Sequence, residues 1–246
     1  MLWTPPRPRL WAPPRRPVRP ARCAVGVNNI GGTFYGFVAV NTDRTQAFTV
    51  GAGSERLLLA IIAGYYDNSP PANATYAGVA MTPGLLAARS ANNDFVQFWY
   101  LVAPASGSND FVIQQPDNSI MLAALIDLTG VDQASPLRAT TAANEANGTG
   151  TSATLTLTST TGEYVVGGIG KGANTAPTVG ADQVSISSGS GGGESARASY
   201  EPGVTSTTHS YTWTGSASYT VAALVVQASG GGAAAGQYLT PMRGII

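Results

Sequence analysis

The sequence is poor in the groups that most enzymes use near neutral pH: it has one histidine, His209, and one cysteine, Cys23. A single cysteine excludes an internal disulfide, and with it a disulfide-stapled scaffold. One histidine and one cysteine are too few for a zinc centre of the usual kind. A Ser-His-Asp site would have to use His209, and no G-x-S-x-G turn supplies its serine. His209 is therefore expected to be a structural or surface residue, and Cys23 an inert thiol. Charge is scarce as well: Asp, Glu, Lys and Arg make up 11% of the chain, against about 25% in an average domain. No apolar stretch reaches about 18 residues, so no membrane-spanning helix is expected. Five prolines within the first fourteen residues interrupt any apolar signal-peptide core. The chain is expected to be soluble and made in a reducing cytoplasm.

What is present is glycine, serine, threonine and alanine, with 43% hydrophobic residues. That apolar share is enough to bury a core, so the chain reads as a folded β-protein rather than a disordered filler. Short strand-like runs recur, separated by Gly, Pro, Asn, Asp and Ser. They are 33–41, 55–66, 95–102, 110–115, 119–128, 152–158, 163–168, 205–213 and 218–227. Amphipathic helical periodicity is almost absent, and this spacing marks a sandwich or barrel rather than βαβ units. The run Glu55–Tyr66 is continuously apolar and reads as a buried central strand. Pro116-Asp117-Asn118 reads as a turn. The glycine-rich stretch 187–193 reads as an exposed loop within the domain, and 230–236 as a linker.

The two ends differ from this body. Residues 1–22 hold Arg7, Arg9, Arg15, Arg16, Arg19 and Arg22 and no acid, while the rest holds seven basic and thirteen acidic residues. A +6 arm is thus joined to a −6 body inside a chain of zero net charge, the mark of an interaction tail. Pro5, Pro6, Pro8, Pro13, Pro14, Pro17 and Pro20 exclude helix and sheet interior there and favour extended polyproline II. Trp3 and Trp11 favour docking, because an exposed Trp gains by finding a pocket. The C-terminal residues Tyr238, Leu239, Ile245 and Ile246 form a short apolar tail. It is either a second docking element or a strand returning to the domain.

Several phrases occur in order: RLLLAII, FWYLVAPASG, LIDLTGVDQASPL, SYEPG and SYTWTGSASYTVAALVV. This run, about residues 54–229, resembles a jelly-roll-like β-sandwich domain of phage tail and other virion proteins and of some secreted bacterial surface proteins. RPRLWAPPRRPVRPAR resembles the N-terminal segment of minor tail proteins of phages infecting actinobacteria. The resemblance implies a non-enzymatic virion protein that binds other virion proteins, with no cofactor, and the opposite charges of arm and body add pairing between copies of the chain. On this reading residues 1–24 form the arm, 25–229 an all-β, jelly-roll-like sandwich, and 230–246 the linker and tail. A capsid decoration protein, or a module that binds host-surface glycans, remains as an alternative.

Other chemistry is weakly signalled. Asp67, Asn68, Asp94, Asp127 and Asp132 lie in loop-like positions suited to calcium, yet no D-x-D-x-D-G loop exists, and solvated carboxylates are the expectation. Thirteen acids offer many pairs for glycoside hydrolysis, and spacing cannot choose among them. The Gly run near Gly191 lacks the Lys-Ser/Thr ending of a phosphate loop. Nucleic acid suits the arm but not the acidic body, so it is not the expected partner. Tyr65, Tyr66, Tyr76, Trp99 and Trp213 are candidate sugar-stacking platforms, with core packing the more expected role.

Overall fold

A computed structural model describes Met1 and residues 23–38, 42–66, 69–88, 93–114, 118–138 and 145–230. The arm residues Trp3, Arg7, Arg9, Trp11, Arg15, Arg16, Arg19 and Arg22 lie outside the described residues. So do the tail residues Tyr238, Leu239, Ile245 and Ile246, the linker beyond Gly230, and Asp67, Asn68, Pro116 and Asp117.

The described chain contains strands and turns and no helix. In the first half the strands are β1 (Gly26–Val38), β2 (Arg44–Val50), β3 (Leu57–Tyr66), β4 (Asn73–Tyr76), β5 (Val79–Ala80), β6 (Thr82–Ala88), β7 (Asp94–Val102), β8 (Gly107–Gln114) and β9 (Ser119–Thr129). They pair from the outside inward. β1 pairs with β9, β2 with β8, β3 with β7 and β4 with β5, all antiparallel. This nested ribbon is rolled so that β3 also meets β9 and β4 also meets β8. Two sheets result, β1-β9-β3-β7-β6 and β2-β8-β4-β5, with β6 added at an edge. That is the jelly-roll arrangement of two facing antiparallel sheets.

The second half adds β10 (Glu145–Leu157), β11 (Tyr164–Lys171), β12 (Thr178–Val179), β13 (Val184–Gly191), β14 (Glu194–Pro202) and β15 (Thr207–Val226). These form a third sheet, β10-β15-β11-β14-β13, with β12 paired to β15. It packs on the outer face of the first sheet, so the body is a jelly roll with further layers on one side. The expected all-β, jelly-roll-like sandwich is thus present, with a third sheet layered on it.

Alternation explains the layers. On β3, Leu57, Leu59, Ile61 and Ala63 point into the core shared with the third sheet, while Leu58, Ala60 and Ile62 point into the core shared with the second. On β9, Leu122, Ala124, Ile126 and Leu128 take the first direction, and Met121, Ala123 and Leu125 the second. A strand buried on both faces must be apolar at every position, and this is why 55–66 reads as a continuous apolar run. Each fully buried Leu or Ile contributes about 1.5–3 kcal/mol.

The third sheet is double-faced too. Ala222, Leu224 and Val226 of β15 join the core against the jelly roll, whereas Val221, Ala223 and Val225 face a third core. That core is closed by the chain folding back on itself. The stretches expected as separate strands at 205–213 and 218–227 are one 20-residue strand. It bends at Gly215, whose φ is +77°, opposite a register shift between Gly150 and Ser152 of β10. The bend lays Tyr211 and Trp213 over Val165, Ile169 and Val221.

The glycine-rich stretch 187–193 is likewise not a loop: β13 runs through it to Gly191, and only Gly192 and Gly193 make the turn. Its glycines provide space. A Cβ at Gly189 would lie 2.3 Å from the Phe34 side chain, because β13 packs against β1. The tightest seam is at Gly170, where a Cβ would stand 2.7 Å from Gly64 O and 2.8 Å from Phe95 O. Gly170→Ala is expected to cost about 1–3 kcal/mol in urea unfolding, because backbone on both sides cannot yield. Gly36→Ala, with nothing within 4 Å of its Cβ, should change stability by less than about 0.5 kcal/mol.

Candidate functional site

Three groups of polar side chains interrupt the apolar cores. The first surrounds His209. β15 points Thr207, His209, Tyr211 and Trp213 to one face, and β14 points Ser199 and Glu201 toward them. The imidazole fits because it rests on Gly167 of β11, where a Cβ would come within 2.6 Å of Nε2. Nδ1–H donates to Glu201 Oε1 at 2.6 Å, and Nε2 lies 3.1 Å from both Ser199 Oγ and Tyr211 OH. Ser199 Oγ and Tyr211 OH are 2.8 Å apart. Gln183 Nε2 donates to Ser199 Oγ at 3.0 Å, and its Oε1 accepts the backbone N–H groups of Gly180 and Ser210. Burial pushes the Tyr211 phenol well up from its ordinary value.

Ser199, His209 and Glu201 have the connectivity of a hydrolase triad. Their setting is different: Ser199 and His209 are fully buried, and the Ser199 hydroxyl is shared with Tyr211. No substrate carbonyl can reach that oxygen in this structure. The group is a satisfied polar layer that fixes how β15 folds over β14. The sequence signal was the i, i+2 spacing of Ser199 with Glu201 and of His209 with Tyr211. It was legible only once the two strands were known to face each other. Ser199→Ala should cost about 1–3 kcal/mol in chemical denaturation, since it strips partners from buried groups.

The second group spans the seam between the jelly roll and the third sheet. Lys171, the only lysine of the chain, ends β11 and is fully buried. Its Nζ donates to Ala173 O at 3.3 Å and stands 5.9 Å from the Trp213 ring centre. Burial lowers its pKa, and the charges of Glu194 and Asp94 partly offset that. Asp94 is buried at the start of β7, where Thr220 Oγ1 donates to its backbone oxygen at 3.1 Å. Glu194 starts β14 and is pushed up to about 8, first by burial, then by the charge of Asp94, with which it also shares a hydrogen bond.

The third group is Asp127, on β9, which accepts the Gly51 N–H at 2.7 Å. Burial raises its pKa, and the Gly51 and Asn28 hydrogen bonds and Arg56 oppose the rise. Asp94 and Asp127 are therefore strand residues and not loop ligands. Asp132 does lie in a turn, where its carboxylate accepts the N–H groups of Ala134 and Ser135. Among the described residues no cluster of three His, Cys, Asp or Glu could hold a metal ion.

The aromatic candidates are placed mainly in cores. Tyr76 is fully buried and donates to Phe48 O and Gly107 O; Trp99 and Trp213 are buried, and Trp213 Nε1 donates to Gly150 O at 2.9 Å. Tyr65 and Tyr66 are half-buried at the end of β3, Tyr66 edge-on to Phe95. These five residues do not assemble a sugar platform. Cys23 is exposed.

An open cleft of about 620 Å³ lies among the described residues. Ala181, Asp182, Glu201, Pro202, Val204, Ser206, Thr207, Thr208 and Ser210 line it. Glu201 is the shared member: Oε1 faces His209, and no described residue bonds Oε2. Sequence reasoning missed this cleft because its walls come from β14, β15 and the turn before β13.

Comparison with family models, with curated proteins and with solved structures returned no match.

The Glu194 carboxyl gives a pH signature. Its folded pKa, about 8, exceeds the ordinary 4.5. Its contribution is therefore fully present below about 4.5 and is lost as pH rises to about 8. Thermal melts across that window should fall for the parent chain and be flatter for Glu194→Gln, which stays neutral throughout. Parallel curves would show that the carboxyl is not buried beside Asp94.

Proposed function

We propose that this chain is a non-enzymatic structural protein of a phage particle, of the minor tail protein kind, anchored to neighbouring subunits through its N-terminal arm. The observation that carries this is the segregation of charge. Among the described residues, the basic side chains of the body are all turned to internal work. Arg44 lies over the Tyr35 ring, and Arg56 donates to Gly51 O. Arg138 pairs with Glu163, Arg197 bonds Ser185 and Ser188, and Lys171 is buried. Asp43, Glu55, Asp110 and Asp182 are exposed. Among the described residues the exposed charges are therefore mostly anionic, while the arm carries six arginines and no acid.

Opposite charges on two parts of one chain favour docking of one copy's arm on another's body, and they steer the encounter. Proline-rich segments lose less entropy on docking than flexible ones, since they are already extended. The fold suits the role: jelly rolls recur in capsid and lectin domains, where rigid sheets carry binding surfaces. The buried state of the Ser199 hydroxyl leaves the one triad-like group without access to a substrate. A capsid decoration protein would use the same physics elsewhere on the particle. A glycan-binding module is less supported, because Tyr76, Trp99 and Trp213 are committed to cores.

The test is incorporation. A chain lacking residues 1–22 should melt within a few degrees of the full chain and fail to enter particles, as read by mass spectrometry of purified virions. Cryo-electron microscopy of the intact particle would then place the protein on tail or head. Normal incorporation of the truncated chain would defeat the anchoring role.

A further inference from the structure

The cleft beside Glu201 lies next to the point where the arm leaves the body. Val25 N–H donates to Gly162 O at 2.8 Å, so the chain enters the body against the turn 159–163. The same turn builds the cleft rim. Gly203 N–H donates to Glu163 O at 2.8 Å. Ser159 Oγ donates to Val204 O at 2.6 Å and lies 2.7 Å from Thr207 Oγ1. Ser159 and Gly162 are three residues apart, so exit and rim are separated by no more than about 11 Å of chain.

The cleft wall is an acceptor set. Asp182, exposed, and Glu201, 5% exposed, both line it, and His209 bonds only one of the two Glu201 carboxylate oxygens. Ser206, Thr208 and Ser210 also line it. No aromatic ring lines it, so a sugar would have nothing to stack on. A guanidinium, with five N–H donors and a fixed positive charge, matches two carboxylates and hydroxyls.

We propose that this cleft is the receptor for the arm: Arg19 and Arg22 of the same chain seat at the Asp182/Glu201 wall in the isolated protein. The inference rests on the arm-anchoring reading above and names its receptor. A segment tethered this close has an effective concentration of order millimolar for its own cleft, so the same copy is served first. In an assembly the same contact can pass to a neighbour's cleft, as in domain swapping.

Disulfide trapping tests it on the full chain, with the single native cysteine removed as Cys23→Ser. Val18→Cys is combined with Ser206→Cys in the cleft, or with Ser108→Cys on the second sheet as control. Ser108 is also exposed, and β8 begins near Gly51, close to where β1 begins. Under mild oxidation the cleft pair should close within the monomer at least about fivefold faster than the control pair, the scale of one or two exposed ion pairs. Asp182→Asn should erase that preference. So should raising salt to about 1 M, where the screening length is about 3 Å, a test that leaves both acidic residues of the cleft unchanged. Equal rates at both sites, or a cross-link found only in covalent dimers, would overturn same-chain seating. The readout uses purified protein, so it stands or falls independently of whether the chain is found in particles.

Discussion

Two-faced burial of the central strands is the constraint from which the other features follow. β3, β9, β11 and the second half of β15 have no solvent side, so their backbone N–H and C=O groups must all be met within the sheets. They are met by antiparallel ladders that run almost unbroken, with β3 flanked on both edges by β7 and β9, and β11 by β14 and β15. The price in sequence is that nearly every residue on these strands must be apolar or very small. Glycine enters where two layers touch: Gly168 meets Ile61 and Val96, and Gly170 meets the backbones of Gly64 and Phe95. These glycines bring the third sheet close enough for Val166, Leu224 and Val226 to share a core with Leu59 and Ile61.

The same constraint decides where charge can go. Asp94, Lys171 and Glu194 all stand at strand ends, so their charges gather at one end of the seam instead of interrupting it. Asp127 is the last inward position of β9 on the second-sheet side, after Met121, Ala123 and Leu125, and there it reaches the Gly51 N–H. The His209 layer is the exception, set in the middle of the third core. It is tolerated because its members satisfy one another through Glu201, Ser199, Tyr211 and Gln183. A network of this kind is specific in a way that Leu-on-Leu packing is not. Sliding β15 by one residue past β10 would turn His209 outward and bring Ser210 in.

The legibility of the sequence follows from the same physics. Runs such as Glu55–Tyr66 and Ser119–Leu128 were readable as buried strands because burial on both faces leaves a continuous apolar signature. The clean alternation of SATLTLT was readable because β10 buries one face only, with Ala153, Leu155 and Leu157 inward. β14 was not readable: Ser195, Ala196, Arg197, Ala198 and Ser199 are small or polar, since the strand faces a glycine-bearing neighbour on one side and the polar layer on the other. The glycines of 187–193 signal a flexible loop by composition, whereas the fit against Phe34 makes Gly189 a requirement of space. Asp94 and Asp127 misled because carboxylates usually mark loops. Asp94 sits at the closing pair of the β3–β7 ladder and Asp127 one pair inside the end of the β3–β9 ladder, facts that depend on register and not on composition.

The charge balance completes the picture. A body with few charges and deeply shared cores gains little by displaying arginine, whose long stem and planar head serve better across ring faces and loop carbonyls, as Arg44 and Arg56 do. Among the described residues, drawing cations inward leaves the exposed charges mostly anionic, with Asp43, Glu55, Asp110 and Asp182 outside. In sequence, six of the thirteen basic residues stand in the first 22, where proline recurs. The turn 159–163 then has two tasks: it anchors Val25, where the arm begins, and it holds up the rim of the cleft that Asp182 and Glu201 make acidic.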